Sequence, residues 1–264
     1  MRIHVTDFLR KFEVSFKLLI FGLLLLPLLL QAQLSGTYTI GSGGTYASFG
    51  AAVTALNTQG VNGAVTFNVL SGTYTEQIEI NAFSGSSASN TVTFKSQTNN
   101  ASDVTLQFSQ TSGANYIVRF NGADYVTFQQ MTLTGLSNSY GRIFVLGENA
   151  DNNRVTGCII NGYPITYVSD QFTGVYGSFS SSNSDGLIIS NNTFNDISVG
   201  VALQGVASNN LASGTQVLNN TFNDVRRGIY LGNQLAPVVS GNTITALNDR
   251  GIELNYANGA LVIT

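Results

Sequence analysis

The hexapeptide NNTFND occurs twice in this sequence, at residues 191–196 and again at residues 219–224. If the second asparagine of each copy (Asn192 and Asn220) is taken as an anchor, an aliphatic residue precedes it by three positions and phenylalanine follows it by two. A related scheme returns around residues 131, 158 and 242, with an aliphatic residue in place of the phenylalanine and with Met131 and Cys158 in place of the asparagine in two of these copies. Five copies of one scheme indicate a repeat architecture.

A second phrase follows each copy: a small residue, an apolar residue, any residue and another apolar residue. Clear examples are GVALQG, GIYLGN and GIELNY, which begin at residues 200, 228 and 251. One unit is therefore two short alternating strands separated by turn-rich segments. Units of 22 to 34 residues cannot bury an apolar face alone, whereas stacked units can, which predicts a β-solenoid. The composition agrees, because 9% charged residues leave little material for surface helices.

Residues 1–32 have the pattern of a secretory signal peptide. A positively charged start is followed by the 13-residue apolar run LLIFGLLLLPLLL and by the small residue Ala32, after which we predict cleavage. The run is shorter than the ~20 residues of a membrane-spanning helix, and no later segment approaches that length. We therefore expect no membrane span after cleavage and a secreted or cell-surface location. An uncleaved anchor is the alternative.

Removal of residues 1–32 also limits the available chemistry. His4 is the only histidine, so the mature chain would have none, and Cys158 is the only cysteine, which excludes an intrachain disulfide. Cys158 occupies an anchor position, where it is either a buried turn filler or a reactive thiol. Of 14 acidic and 11 basic residues, residues 1–32 hold two and four, which leaves a net charge of about −5. This charge argues against nucleic acid as a partner.

Residues 33–60 form a separate N-terminal segment with a predicted short helix, for which Ser48 is a candidate N-cap and Gly60 a stop signal. We expect this helix to cover one open end of the solenoid, where unpaired strand edges would otherwise meet water. The apolar face of the helix would consist of Tyr46, Phe49, Val53 and Leu56.

At the other end of the solenoid, GALVIT begins a new strand just before the next anchor is due. The solenoid of residues 61–264 is therefore expected to continue beyond Thr264.

These motifs resemble a known fold family. The first phrase followed by GIxL, together with GAVTFNVLSGTYTEQIEI at residues 63–80, is similar to right-handed parallel β-helix proteins such as pectate lyases and polygalacturonases. The segment that begins GTYTIGSGGTYASFGAAVTALN resembles large secreted surface proteins of Bacteroidota, many of them exported by the type IX system. The resemblance covers about residues 36–264. It implies an all-β, single-stranded, right-handed parallel β-helix of about eight rungs with a short N-terminal capping helix, and it says little about activity.

In that fold the anchor asparagines Asn192, Asn220 and Asn242 would stack at one turn, and their side-chain amides would hydrogen-bond from rung to rung, about 4.8 Å apart. Phe194 and Phe222 would form one core stack. The repeated hexapeptide would then be an architectural motif and not a catalytic one.

Two groups of outward residues are candidates for ligand binding. The outward residue of the GIxL strand follows a column in which tyrosines can stack on sugar rings and charged side chains can bind hydroxyls or carboxylates. An ordinary solvated sheet face is the alternative. The longest insertion, NGYPITYVSDQFTG, carries Tyr163, Tyr167 and Phe172, which form either a binding loop or an aromatic contact that packs the loop onto the solenoid. The column would contain Arg119, Val145, Tyr176, Ala202, Tyr230 and Glu253.

No convincing set of catalytic residues emerges. Asp196 and Asp224 align on neighbouring rungs about 5 Å apart, as in a retaining glycosidase, but aspartates in repeated tight turns usually cap backbone amides. Calcium binding by this pair is a further alternative, although the additional clustered oxygens are missing. Arg142, Arg227 and Arg250 each precede a GIxL strand and would act either as a lyase base or in a surface ion ladder with neighbouring aspartates.

The sequence thus predicts a noncatalytic surface module that binds polysaccharide or a cell-surface glycan, or acts as an adhesin, without metal or other cofactor. One alternative is a polysaccharide lyase or glycoside hydrolase whose catalytic residues lie partly beyond Thr264. Another is a structural stalk of a large surface protein.

Overall fold

The computed structural model describes residues 32–246, 249–260 and 262–264. The predicted signal peptide lies outside the described residues except for Ala32. Residues Leu34–Thr264 form one compact unit, in which the chain winds as a coil and contributes strands in turn to three parallel sheets. One turn of this coil, with a strand in each sheet, is called a rung. The predicted parallel β-helix is confirmed by this topology.

Sheet A has nine strands, and all of its pairings are parallel. Its strands are β1 (Leu34–Ile40), β2 (Val61–Val69), β5 (Val92–Ser96), β8 (Val126–Gln129), β11 (Arg154–Thr156), β14 (Ile188–Ser190), β18 (Gln216–Leu218), β21 (Val238–Ser240) and β24 (Val262–Ile263).

Sheet B follows sheet A within each rung. Its strands are β3 (Gly72–Thr75), β6 (Val104–Phe108), β9 (Thr132–Gly135), β12 (Ile159–Asn161), β15 (Thr193–Asn195), β19 (Thr221–Val225) and β22 (Thr243–Ala246).

Sheet C completes the rung and contains the GIxL phrases. Its strands are β4 (Ile78–Asn81), β7 (Val118–Asn121), β10 (Phe144–Leu146), β13 (Thr173–Ser178), β16 (Val199–Gln204), β17 (Ala212–Ser213), β20 (Arg227–Leu235) and β23 (Ile252–Asn258).

The core is a set of stacked apolar columns inside the coil. In β8, Val126 and Phe128 are buried while Thr127 and Gln129 point outward, which is the period of two that the sequence predicts. Phe128 continues an aromatic stack from the preceding rungs of sheet A, and Phe194 stacks on Phe222 in sheet B with ring centroids 4.5 Å apart. Because each rung contacts mainly its neighbours, these columns hold successive rungs together.

The glycines that open the second phrase pack against this core. A Cβ atom on Gly200 would lie 2.4 Å from Phe222 Cδ1, and one on Gly174 would lie 2.6 Å from Phe194 Cε1. Such distances are far below van der Waals contact, so a side chain at either position would displace a core phenylalanine. The glycine that opens the second phrase of one rung therefore packs against the phenylalanine in the first phrase of the next rung. Together the two residues form one packing motif.

The anchor asparagines form a continuous ladder at the corner between sheets A and B. Asn192 Nδ2 donates to Asn220 Oδ1, and Asn220 Nδ2 donates to Asn242 Oδ1, each at 2.9 Å. The same Oδ1 atoms accept the backbone N–H of Asn192 and Asn220. Asn191 and Asn219, which precede the anchors, have φ of 56° and 54°, a left-handed conformation that asparagine tolerates well.

Cys158 stands at the anchor position of an earlier rung and is only 1% exposed. Its backbone N–H donates to Asn192 Oδ1, so the cysteine backbone joins the ladder although its side chain does not. Burial raises the pKa of the Cys158 thiol to about 12, which keeps the thiol protonated at neutral pH. These features favour the buried turn filler over the reactive thiol.

The predicted capping helix is α1 (Phe49–Gln59). Ser48 Oγ accepts a hydrogen bond from Ala51 N, and Gly60 ends the helix with φ of 65°, as the sequence predicts. The Glu76 carboxylate also accepts the Phe49 and Gly50 N–H groups, which places a negative charge at the positive end of the helix.

Two details of this N-terminal segment differ from the prediction. Tyr46 was expected on the helical face, but it precedes α1 and instead pairs with Ile40 through a β-bridge. Residues 33–60 also contain a full strand, β1, which pairs with β2 and begins sheet A before residue 61. No helix in the described part of the chain is long and apolar enough to cross a membrane.

Candidate functional site

The outer face of sheet C brings the predicted ligand-binding column into register. Tyr176 pairs with Ala202, and Ala202 pairs with Tyr230, so the two tyrosines lie two rungs apart, roughly 10 Å. Val145 and Arg119 continue the column on one side of Tyr176, and Glu253 continues it beyond Tyr230. The register also adds Glu79, opposite Arg119, which the sequence analysis did not include.

The small side chain of Ala202 leaves a cleft between the two tyrosines. This tyrosine cleft has a volume of about 320 Å³ and opens on the outer face of sheet C. Asp170 reaches it from the end of the long insertion, so one carboxylate and one guanidinium border it. Its lining residues are Asp170, Tyr176, Gly177, Ser178, Ala202, Gln204, Arg227 and Tyr230.

Arg142 occupies one face of the Tyr176 ring. Its guanidinium carbon lies 3.4 Å from the ring centroid, which is a cation–π contact, and its Nε donates to the Asp170 carbonyl at 2.8 Å. Burial lowers the pKa of Arg142, while Tyr176 and Asp170 act in the opposite direction. The arginine therefore orients Tyr176, and a ligand can stack only on the other ring face.

Tyr230 is held by a hydrogen bond from its hydroxyl to Gln204 Oε1, 2.5 Å long. Gly232 makes room for this pair, because a Cβ atom there would lie 2.8 Å from the Tyr230 hydroxyl. Arg227 Cζ is 6.0 Å from the ring centroid, at the outer limit of a cation–π contact. The ring of Tyr230 is thus fixed at its polar end and half-buried along its face.

The charged residues at the ends of the column are engaged in ion pairs. Glu253 contacts Arg250 Nη1 at 2.6 Å and Arg227 Nε at 3.4 Å, and Arg227 also pairs with Asp249 at 3.0 Å. At the other end, Arg119 lies 3.8 Å from Glu79. Arg227 and Arg250 therefore belong to a surface ion network, one of the two interpretations of the arginine register. Arg119 and Glu253 border the column but do not line the tyrosine cleft.

The aromatic residues of the long insertion differ in their solvent exposure. Phe172 is buried, whereas Tyr163 and Tyr167 are exposed by 38% and 57%. Ser198 anchors the loop, because its Oγ donates to the Tyr167 carbonyl and accepts from Ser169 N. Phe172 thus packs the loop onto the solenoid, while Tyr163 and Tyr167 are exposed to solvent and do not line the tyrosine cleft.

Asp196 directly follows β15, whereas Asp224 lies inside β19, where the pairing with β22 is irregular, and both backbones are left-handed, with φ of 52° and 54°. The neighbouring asparagines form a second, outer ladder in which Asn223 Nδ2 donates to Asn195 Oδ1 at 3.0 Å and Asn195 Nδ2 donates to Asn161 Oδ1 at 2.9 Å. This arrangement supports a structural role for the repeated ND pair. Asn195 lies in β15 and Asn223 in β19, and the tight turn predicted for both aspartates is wrong for Asp224, which also lies in β19.

A larger groove lies on the outer face of sheet A, which the sequence analysis did not consider. Its volume is about 740 Å³. The sequence signal that marks part of its floor is the tripeptide VTF at residues 92 and 126, in which threonine is the outward residue. This surface is called the sheet A groove below. Its lining residues are Ala88, Thr91, Thr93, Tyr125, Thr127, Gln129, Asn152, Arg154, Thr156, Gly186, Ile188, Gly214 and Gln216.

Three aspartates form a ladder beside this groove. Asp124 Oδ1 accepts the N–H of Asp151, Asp151 Oδ1 accepts that of Asp185, and Asp185 Oδ1 accepts that of Ser213. Burial, together with the neighbouring charges of Asp124 and Asp185, raises the pKa of Asp151. Within the described ranges, no group of three or more His, Cys, Asp or Glu residues is arranged to hold a metal ion.

In comparisons with known proteins, residues 90–264 of the chain match a family model described as right handed beta helix region. Among solved structures, the chain is similar to the pectin methylesterase from Aspergillus niger in deglycosylated form, with 20% identity and a TM-score of 0.48, over 87% of this chain and 88% of that one. The penultimately deglycosylated form of that enzyme has 21% identity and the same TM-score and coverage. No curated protein sequence matches the chain.

Proposed function

The chain belongs to the right-handed β-helix family, and from this premise we propose that it is a noncatalytic carbohydrate-binding or adhesive module of a secreted or cell-surface protein. The observation that carries this proposal is the tyrosine cleft, in which two half-buried, oriented tyrosine rings flank the small side chain of Ala202. A tyrosine face can stack on the apolar face of a sugar ring, while polar neighbours bind its hydroxyls.

The spacing of the tyrosines suits a short stretch of glycan. Two rungs separate Tyr176 from Tyr230, roughly 10 Å, a distance that one disaccharide can bridge. The hydrogen bond to Gln204 and the contact with Arg142 hold the two rings in place before a ligand arrives. Such preorganisation lowers the entropy lost on binding.

The charges around the tyrosine cleft favour an acidic glycan. Arg227 lines the cleft, and Arg142 covers the far side of Tyr176, so two guanidinium groups lie beside the two rings. Arg227 uses its Nε for the ion pairs with Asp249 and Glu253, so its two Nη groups would bind a uronate carboxylate. Asp170 also lines the cleft and carries a negative charge. It would repel the carboxylate of the glycan and so determine which end of the cleft receives that carboxylate.

A noncatalytic role is supported by the state of the acid and base candidates. Arg227 pairs with both Asp249 and Glu253 in the ion network, and Asp196 and Asp224 lie next to or within β15 and β19, away from the tyrosine cleft. Asp170 is the single carboxylate among the residues that line the tyrosine cleft, whereas hydrolysis of a glycosidic bond uses a pair of carboxyl groups. We propose that the cleft binds its glycan without a cofactor.

The binding proposal predicts the behaviour of a double variant. Tyr176→Ala with Tyr230→Ala should lower affinity for oligogalacturonate roughly 5- to 150-fold, since two lost stacking contacts of about 0.5–1.5 kcal/mol each sum to about 1–3 kcal/mol. Isothermal titration calorimetry measures this, with circular dichroism to verify folding. The matched control is Tyr163→Ala with Tyr167→Ala, which removes two exposed tyrosines outside the cleft and should leave affinity unchanged.

Salt separates the two kinds of contact in this complex. Raising ionic strength should weaken the arginine–carboxylate part of binding and leave the stacking part.

Unchanged affinity in the folded Tyr176→Ala, Tyr230→Ala variant would exclude the tyrosine cleft as the binding surface. If the Tyr163 and Tyr167 control loses affinity instead, the insertion loop is the site. If no acidic glycan binds the unaltered protein, the structural stalk becomes the better interpretation.

A secreted or cell-surface location, of the kind found in Bacteroidota surface proteins, is part of the same proposal. The pattern of residues 1–32 supports it, with cleavage after Ala32. We expect the exported protein to begin at Gln33 and to appear in the medium or on the cell surface. Cell fractionation followed by mass spectrometry of the N-terminal peptide tests this, and recovery of an uncleaved chain inside the cell would contradict it.

A further inference from the structure

The sheet A groove runs across the strands, along the axis of the solenoid. Its floor is a single outward column of side chains from five neighbouring rungs, which spans roughly 19 Å at about 4.8 Å per strand spacing. Hydroxyl, amide, guanidinium and methyl groups alternate on this floor, so it can both donate hydrogen bonds and contact apolar faces. The column consists of Thr93, Thr127, Arg154, Ile188 and Gln216.

One wall of the groove is the turn that leads into sheet A, and Tyr125 breaks the pattern of this wall. On successive rungs, equivalent positions are occupied by Tyr125, Asn152, Gly186 and Gly214, and all four have left-handed backbones with φ between 57° and 71°. Glycine and asparagine adopt this conformation readily, whereas a bulky residue does so only with strain. The sequence places tyrosine where the fold favours asparagine or glycine.

The contacts of the Tyr125 side chain give little structural reason for a tyrosine at this position. It is half-buried, it lines the groove, and its hydroxyl has no hydrogen-bond partner in the described part of the chain. None of the ring contacts between described aromatic residues involves it. A strained residue whose side chain satisfies nothing in the free protein is a marker of function.

Arg154 is the second unusual residue of the groove. It is exposed at the middle of the floor and, within the described ranges, it is the arginine with neither an ion pair nor a hydrogen bond. Its guanidinium offers five donors that no protein group uses. Together with Gln129, Gln216 and the threonines, it provides hydrogen-bonding groups along the whole floor.

The charged residues in and beside the sheet A groove limit the net charge of a ligand that can bind there. Arg154 is the single charged residue among those that line the groove, which disfavours a polycation. The ladder of Asp124, Asp151 and Asp185 lies one residue before the wall, and its three carboxylates disfavour a polyanion. An uncharged ligand rich in hydroxyl groups fits both constraints.

An extended peptide fits less well than a glycan. Peptides that bind to sheets usually add a strand at an open edge and pair with its backbone. Here the floor strands β8, β11 and β14 are already paired on both sides, so their backbones are satisfied and only side chains face the groove. A linear sugar chain needs only hydroxyl partners and an aromatic face.

We propose that the sheet A groove binds a linear, uncharged oligosaccharide that lies along the solenoid axis, with one sugar ring against Tyr125 and its hydroxyls bonded to Arg154. This site lies on another sheet from the tyrosine cleft and does not depend on the function proposed for that cleft. A protein with both sites would contact two different glycans at once and would link neutral to acidic polysaccharide.

The test uses soluble fragments of β-1,4-glucan, xylan and mannan as probes, with titration calorimetry on the chain from Gln33. At least one of these neutral fragments should bind, and Tyr125→Asn should lower its affinity about tenfold because the stacking contact is lost. Arg154→Gln should lower it by a similar factor. Asn152 has the same backbone conformation one rung away, so Tyr125→Asn should unfold at the same temperature as the unaltered protein or at a higher one.

This combination distinguishes a binding residue from a structural one. Lost affinity with unchanged or raised thermal stability supports the proposal. It would be overturned if none of the three neutral fragments binds, if Tyr125→Asn binds as well as the unaltered protein, or if Tyr125→Asn lowers the unfolding temperature. As a control for the other site, Tyr176→Ala with Tyr230→Ala should retain binding of the neutral fragment. If it loses that binding, the neutral glycan occupies the tyrosine cleft and the sheet A groove proposal is wrong.

Discussion

Replacing Phe222 by alanine should lower the free energy of unfolding by about 3–5 kcal/mol. Phe222 is fully buried, stacks on Phe194 at 4.5 Å with an interplanar angle of 11°, and packs against Gly200 on the preceding rung. Truncation removes the ring from both contacts and leaves a cavity that the paired backbones of β15 and β19 cannot close. Urea denaturation followed by circular dichroism measures the loss.

The matched control for this truncation is Tyr167→Ala. Tyr167 is also aromatic, but it is 57% exposed and lies in the long insertion, so its removal should change stability by less than about 0.5 kcal/mol. A loss under 1 kcal/mol for Phe222→Ala would contradict its central place in the core. Because rungs interact mainly with their neighbours, a biphasic unfolding curve for this variant would indicate that the rungs on either side of Phe222 have become uncoupled.

Replacing Asn220 by alanine should cost about 3 kcal/mol, since it leaves several buried groups without hydrogen-bond partners at about 1–3 kcal/mol each. The Asn220 amide accepts from both the backbone and side-chain N–H groups of Asn192, and it donates to Asn242 Oδ1 and to the Ile189 carbonyl. Asn192 and Asn220 are each 1% exposed, so water cannot replace the lost partners. Thermal unfolding of the purified variant tests this.

Asn223→Ala is the control for the ladder prediction. Asn223 also belongs to an asparagine ladder, through its bond to Asn195, but it lies on the outer face and is only half-buried. Water can take over its hydrogen bonds, so its loss should cost less than about 1 kcal/mol. Equal effects of the two substitutions would mean that the inner ladder owes its stability to something other than burial.

Much of the architecture could be predicted because each rung meets mainly its neighbours. The local pattern of Asn192-Thr193-Phe194 determines which side chains face inward, and its recurrence at Asn220 and Phe222 determines which residues share a column. The helix α1 was equally predictable, since its cap and stop signals, Ser48 and Gly60, directly flank it in the chain. Tyr46 was misplaced because apolar spacing does not indicate where a helix begins.

The candidate sites were less predictable, because they depend on which side chains from different rungs meet at the surface. The sequence indicated that Tyr176 and Tyr230 share an outward column, but not that Arg142 covers one ring face or that Gln204 holds the other ring by its hydroxyl. The sheet A groove was missed entirely, because its floor combines outward residues of five rungs that have no common motif beyond VTF.

The sequence by itself therefore determined the repeat, the inward and outward faces, the asparagine ladder and the helical cap, since each of these depends on residues close in the chain or repeated at one period. Only the tertiary structure decided which surface can receive a ligand. The loops between rungs differ in length, so Asp170 and Arg142 reach the tyrosine cleft along paths that no period encodes. Likewise, the strain at Tyr125 exists only because the neighbouring rungs force its backbone into the conformation of Asn152 and Gly186.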